Sequence, residues 1–145
     1  MYLPVSMKVC GLNSHGSSAI RIASESFAEW LGIQLIRSEE DKAVVKLPYS
    51  VQLGIGRIHG GAISALVDVA ATAAFWSTPL VNAKSRGATV GFTINFLKLA
   101  VSTDLTATAT VRRRGNTLCT GNVIVTDKNE DEVAVAVVTY KLQHK

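Results

Sequence analysis

Gly56-Arg57-Ile58-His59-Gly60-Gly61-Ala62-Ile63-Ser64-Ala65-Leu66-Val67-Asp68-Val69-Ala70-Ala71-Thr72-Ala73-Ala74-Phe75-Trp76 reads as one helix, apolar on nearly every side and entered through His59-Gly60-Gly61. The one ionisable group in its middle is Asp68. A carboxylate in such a setting is costly unless it is paired, hydrogen-bonded or used in chemistry. Ser64, Asp68 and Thr72 stand four residues apart and form one narrow polar stripe. Ile63, Leu66, Val67, Val69 and Ala70 are expected to be buried opposite it. The segment is therefore expected to be a core helix that shows one polar line to a cleft.

Gly60 and Gly61 stand where this helix begins, and the first N–H groups of a helix have no partner inside it. With no side chain in the way, the backbone can approach a ligand closely. The free donors at the positive end of the helix dipole favour an anion or a developing oxyanion. Asp68 cannot act at that same point, because eight residues of helix at about 1.5 Å each separate the two by roughly 12 Å. If both act on one substrate they belong to two helices. The simplest second helix is that of another copy of the chain lying antiparallel to the first.

The 145 residues fit one domain with a sizeable core, and 48% of them are hydrophobic against 18% charged. No apolar run approaches the ~20 residues that span a bilayer, and the N-terminal ten residues lack the pattern of a signal peptide. Two cysteines, Cys10 and Cys119, make no disulfide framework and fit a reducing compartment, so the cytoplasm is the expected location. Cys119 is expected to be a packed small hydrophobe. The net charge of +4 raises the question of nucleic acid. No helix-turn-helix, zinc-ligand spacing or aromatic RNA-binding strand accompanies it, so no nucleic-acid partner is expected. The cations gather in two loops instead, Lys84 with Arg86 and Arg112-Arg113-Arg114, which suit either a small polyanion or solvated loop ends.

Residues 1–20, rich in Gly, Ser and Asn, read as a loose leader, and residues 21–145 as the single domain. A short helix is expected from about Ser24 to Leu31, with Ser24 or Ser26 as its cap. Ile33 to Arg37 and Ala43 to Leu47 read as strands joined by the turn Ser38-Glu39-Glu40-Asp41. After the long helix, closed near Ser77-Thr78-Pro79, everything is strand-like. Val90, Phe92, Ile94 and Phe96 alternate with Thr89, Gly91, Thr93 and Asn95, the period of a half-buried strand. Leu105, Ala107, Ala109 and Val111 alternate likewise with Thr106, Thr108, Thr110 and Arg112. Two more strands, about Thr117 to Thr126 and Glu132 to Leu142, are set off by good turn sequences. One long helix followed by adjacent strands implies an α+β fold, an antiparallel sheet with the helix on one face.

His59-Gly60-Gly61, with Leu66 and Asp68 following on the helix, resembles the motif of the hotdog-fold acyl-CoA thioesterases of the PaaI-like (phenylacetic-acid-type) branch. Phe27 through Ile33 is similar to that family's opening helix end, Thr89 through Leu97 to its central strand, and Val111 through Asn116 to its basic hairpin. The resemblance implies a sheet wrapped around a central helix, a homodimer that associates further as a dimer of dimers, and hydrolysis of an acyl-CoA thioester without metal or cofactor. It implies Asp68 as nucleophile or general base and the Gly60 N–H as the group that polarises the carbonyl. His59 would support that region, Thr89 would position water or the carboxylate, and Gly61 would line the substrate. Arg112, Arg113, Arg114, Lys84 and Arg86 would meet the phosphates of CoA.

One position departs from the family. An Asn is common six residues before the His, and here that position holds Leu53, while the Gly that commonly follows it is kept as Gly56. Leucine offers no hydrogen bond. Gln52, one residue earlier, carries an amide that serves only if the loop is shifted. Two alternatives therefore stand beside hydrolysis: a non-hydrolytic acyl-CoA-binding hotdog protein, and a hotdog acyl-thioester hydratase or dehydratase.

Overall fold

The computed structural model describes residues 16–144. The elements run α1 (Gly16–Ala23), α2 (Ser26–Leu31), β1 (Gln34–Glu39), β2 (Lys42–Leu47), a 3-10 turn (Val51–Leu53), α3 (Gly60–Trp76), β3 (Arg86–Phe96), β4 (Leu105–Arg114), β5 (Leu118–Thr126) and β6 (Glu132–Gln143). All six strands form one antiparallel sheet in the order β1-β2-β4-β5-β6-β3. The chain leaves the sheet after β2, crosses its face as α3, and re-enters at the far edge as β3. This is the α+β hotdog arrangement that the resemblance implies. Among the described residues no helix is long and apolar enough to cross a membrane.

The N-terminal part differs from the sequence reading. Gly16–Ala23 is helical where residues 16–20 were expected in a leader, and Ala19 is fully buried. An apolar row of Ala19, Ile22 and Ala23 is what commits these residues to the domain. Arg21 lays its guanidinium over the Trp76 ring, 5.2 Å from the centroid. The rest of the leader, residues 1–15, lies outside the described residues. The second helix begins at Ser26 with Glu25 as its N-cap and no side-chain bond, so neither Ser24 nor Ser26 caps it.

Packing follows from α3. Leu66, Val67 and Phe75 are sealed against Val45 and Leu47 of β2, Leu105 of β4 and Val123 of β5. Phe75 stacks on Tyr140 of β6 with centroids 5.2 Å apart, and Trp76 Nε1 donates to the Tyr140 hydroxyl at 2.8 Å. The helix ends because Ser77 turns back, its hydroxyl donating to the Ala73 carbonyl at 2.7 Å, ahead of Pro79. The Ser77 carbonyl in turn accepts from the Asp41 N–H of the β1–β2 turn.

Two surfaces on one side of the molecule stay uncovered. Ala62, Ala65, Asp68, Val69 and Thr72 form a stripe along α3 that is only partly buried, with Val69 included against expectation and the exposed Gly61 at its start. Beside it runs β3, which pairs with β6 along one edge and, among the described residues, with nothing along the other. The alternating apolar residues of β3 are accordingly not sealed: Val90 is 61% and Phe96 51% exposed. An unpaired strand with apolar side chains is a surface that natural proteins cover.

Two outcomes follow from this packing. Phe75→Ala removes a fully buried ring and its stacking partner, and is expected to cost about 3–5 kcal/mol, read as a fall in the denaturant midpoint. The second concerns acid. Lys98 Nζ bridges Asp127 at 2.9 Å and Asp131 at 2.6 Å, tying the β5–β6 turn to the segment after β3. The Lys98 hydrogen bond holds the Asp127 carboxyl below its usual value of 3.8. The folded pKa lies below the unfolded one, so this stabilisation is present above pH about 4 and is lost as pH falls through the folded value. Asp127→Asn should flatten the acid limb of Tm against pH; an unaltered limb would assign acid sensitivity elsewhere.

Candidate active site

The start of α3 is built from three residues. His59 is the N-cap in extended conformation, and its Nδ1 accepts the Gly61 N–H at 2.8 Å. That acceptor role requires the neutral tautomer with the proton on Nε2. The ring folds so closely over the helix end that a Cβ on Gly61 would stand 2.9 Å from Nδ1. The Gly60 N–H has no acceptor among the described residues. The tip of the Phe96 ring lies against Gly60, 3.2 Å from where a Cβ would be. Gly60 therefore opens, beside Phe96, onto a cleft of about 330 Å³ whose walls also include Arg57, Ile63, Lys98 and Leu99.

The loop ahead of this helix is pinned at both flanks. The His59 N–H donates to the Leu53 carbonyl at 2.7 Å, Ile58 N–H to the Ala100 carbonyl at 2.9 Å, and Ser102 N–H to the Gly56 carbonyl at 2.9 Å. The Tyr49 hydroxyl donates to the Gly54 carbonyl at 3.2 Å and accepts the Gly56 N–H at 3.3 Å. Gly54 has φ +138, and a Cβ there would lie 2.0 Å from the Arg57 carbonyl oxygen, so only glycine closes this loop. Leu53 is 2% exposed and belongs to the core. Gln52 spends its amide on the Trp30 carbonyl at 3.2 Å.

Asp68 lies two turns further along α3, partly buried, and its Oδ1 accepts the Thr89 hydroxyl at 2.7 Å. A β-bulge makes this meeting possible. Thr89 pairs with Tyr140 and Gly91 with Thr139, so Val90 is the extra residue. Strict alternation puts Thr89 on the face opposite Phe92; the bulge turns it onto the same face, toward α3. Ser64, by contrast, folds its hydroxyl back on the Gly60 carbonyl at 2.8 Å. Of the polar stripe, Asp68 is thus held by the Thr89 hydroxyl and Ser64 is turned back on its own helix, with the half-buried Thr72 one turn beyond Asp68.

The basic residues separate into engaged and free ones. Arg114 holds Asp41 at 2.6 and 3.1 Å, which steadies the left-handed Asp41 of the β1–β2 turn. Arg86 donates to the carbonyls of Ala83 and Ser85. Arg112, Arg113 and Lys84 are exposed, with no side-chain partner among the described residues. The row Arg114, Cys119, Tyr140, Thr89 crosses four strands, so this basic end of the sheet lies level with Asp68 rather than with Gly60. Cys119 is buried, and desolvation raises its thiol pKa, which suits packing and not nucleophilic use. Sequence reasoning missed Arg57 and Lys98. Arg57 was visible as a cation two residues before His59; nothing local marked Lys98, which reaches the cleft only through the fold.

Residues 55–134 match the model of the thioesterase superfamily. No curated protein is similar to the chain. Among solved structures, the Escherichia coli PaaI protein from the phenylacetic acid degradation operon is 25% identical, with a TM-score of 0.77 over 88% of this chain and 91% of that one. Zebrafish thioesterase superfamily member 2 is 26% identical, with a TM-score of 0.75 over 90% and 99%. A hypothetical thioesterase from Streptococcus pneumoniae, solved with coenzyme A, shares the fold at 23% identity and a TM-score of 0.69 over 78% and 87%. With more than half of its length matched to that family model, and a PaaI-like hotdog fold built around a carboxylate-bearing helix, the chain belongs to the thioesterase superfamily.

Proposed function

We propose that this protein hydrolyses acyl-CoA thioesters at a site shared between two copies of the chain. The observation that carries the reading is the pairing of Asp68 with Thr89 at 2.7 Å on an uncovered helix stripe, while the free Gly60 N–H stands roughly 12 Å away on the same helix. A second copy, antiparallel along the open edge of β3, would cover both surfaces and bring one chain's Gly60 to the other's Asp68. Membership of the thioesterase superfamily supports thioester hydrolysis in general. The pneumococcal protein solved with coenzyme A supports CoA as the thiol.

In this reading the thioester carbonyl oxygen accepts the Gly60 N–H of one copy, at the positive end of α3. Asp68 of the other copy takes a proton from water, and the oxygen attacks the carbonyl carbon. The tetrahedral oxyanion collapses, the carbon–sulfur bond breaks, and the proton on Asp68 passes to the departing thiolate. The products are a free acid and CoA. Direct attack by Asp68 reaches the same products through an anhydride that water then opens. Thr89 fixes the carboxylate by donating to Oδ1, leaving Oδ2 for the water. His59 shapes the oxyanion region by capping Gly61 and leaving Gly60 unpaired. Gly61 follows the cleft-lining Gly60, and its N–H is taken by His59. Of the basic set, Arg112, Arg113 and Lys84 are the members free to meet a CoA phosphate.

Asp68→Asn keeps the shape and removes the base; kcat should fall by about 10²- to 10⁴-fold, with Tm near wild type, as followed by thiol release from acyl-CoA. Mixing Asp68→Asn with Gly60→Pro should restore activity, because a mixed dimer rebuilds one intact site. No recovery despite proven subunit exchange would exclude a shared site.

A second reading, binding without turnover, is favoured by one observation: neither Leu53 nor Gln52 brings a side-chain amide to the cleft beside Gly60, since Leu53 is in the core and Gln52 lies outside the cleft lining with its Nε2 on the Trp30 carbonyl. Under hydrolysis, Gln52→Ala should leave kcat unchanged. Leu53→Asn should lower stability by about 1–3 kcal/mol, the cost of a core amide, without raising kcat. A gain in kcat for Leu53→Asn would show that the missing amide limits the chemistry. Tight acyl-CoA binding with no thiol release would establish the second reading.

A further inference from the structure

The cleft beside Gly60 holds two cations, and their electrostatic states differ. Lys98 has its charge matched by Asp127 and Asp131, at 2.9 and 2.6 Å. Arg57 lines the same cleft and, among the described residues, its guanidinium has neither a carboxylate nor a carbonyl within bonding distance. No carboxylate is among the residues lining the cleft. The Arg57 backbone is held fast, bridged to Val101 and flanked by the Ile58–Ala100 and Gly56–Ser102 hydrogen bonds. An exposed arginine on a mobile loop is ordinarily a solvated charge. Here the backbone position is fixed and only the side chain is free, so less ordering is needed to bind an anion.

We infer that Arg57 is the anion-binding, specificity-determining residue of the site: it holds an oxyanion group that the thioester substrate carries away from its reacting carbonyl. The inference rests on the thioester reading. Arg57 is three residues from Gly60, at most about 10 Å of chain, and its side chain adds roughly another 7 Å of reach. A phosphate of the CoA arm, about 14 bonds or roughly 17 Å from the carbonyl when extended, lies at the limit of that reach. A carboxylate at the end of a short acyl chain lies well inside it. Both present the paired oxygens that a guanidinium fork binds through two parallel bonds.

Four substrates separate the sources: pentanoyl-CoA, glutaryl-CoA, and the pentanoyl and glutaryl thioesters of pantetheine, which lack phosphate. Arg57→Ala and Arg57→Lys are compared with wild type. If a phosphate is the partner, Arg57→Ala should raise KM about tenfold or more for both CoA substrates and spare both pantetheine substrates. If the partner is the acyl carboxylate, KM should rise for both glutaryl substrates and stay constant for both pentanoyl ones. In either case kcat should change little, Arg57→Lys should recover part of the loss, and the wild-type KM should rise more steeply with salt than that of Arg57→Ala. An unchanged KM on all four substrates, or a loss confined to kcat, overturns the inference while leaving hydrolysis intact. Should wild type turn over none of the four, the thioesterase reading falls. Affinity for a non-hydrolysable acyl-CoA thioether, compared between wild type and Arg57→Ala, then decides Arg57: equal affinities overturn it and a tenfold loss sustains it.

Discussion

A helix with almost no polar side chain must be covered on nearly all sides, and one six-stranded sheet cannot do that alone. α3 presents Leu66, Val67 and Phe75 to β2, β4 and β5, and α1 closes part of another side with Ala19 and Ile22. What remains is a stripe of small residues, Ala62, Ala65, Val69 and Thr72, flanking Asp68. The apolar burden of this one helix explains why the sheet curls around it. It also explains why the uncovered strip coincides with the unpaired edge of β3: the strand that would cover the strip is the last one in the sheet.

That same strip is where the polar groups are. A partly buried carboxylate loses hydration and regains it through hydrogen bonds. Asp68 obtains one from Thr89, and the bulge at Val90 is what delivers it. At the other end of the exposed stripe, Gly60 keeps an unpaired donor because His59 satisfies its neighbour and not Gly60 itself. Each chain thus carries an acceptor at Asp68 and a donor at Gly60, kept apart by helix geometry. The separation is a property of the α-helix and no side-chain rearrangement removes it.

The loop from Leu53 to His59 fixes the start of α3 and with it the Gly60 N–H. Its two flanks are tied to Ala100 and Ser102, and Tyr49 clamps the glycines between them. The clamp accounts for the tight conformation at Gly54, which a side chain would destroy. It also turns Leu53 inward, so the residue that departs from the family pattern serves as core and not as a site amide.

The sequence by itself determined the elements whose signals are short-range. The extent of α3 follows from its unbroken apolar composition, its start from His59-Gly60-Gly61, the β4 strand from period-two alternation, and β6 from the turn sequence ahead of it. Each of these rests on neighbours within a turn or two of chain. The tertiary structure alone decided what depends on distant partners. Thr89 faces Asp68, 21 residues away, only because a bulge shifts the β3–β6 register. Arg114 is occupied by Asp41, 73 residues away, which no count of charges in its hairpin reveals. Alternation alone also suggested a half-buried β3, yet an edge strand receives cover from one side only. Periodicity records which face of an element is apolar; register, bulges and edge position decide what that face meets, because they are set by contacts between segments far apart in the chain.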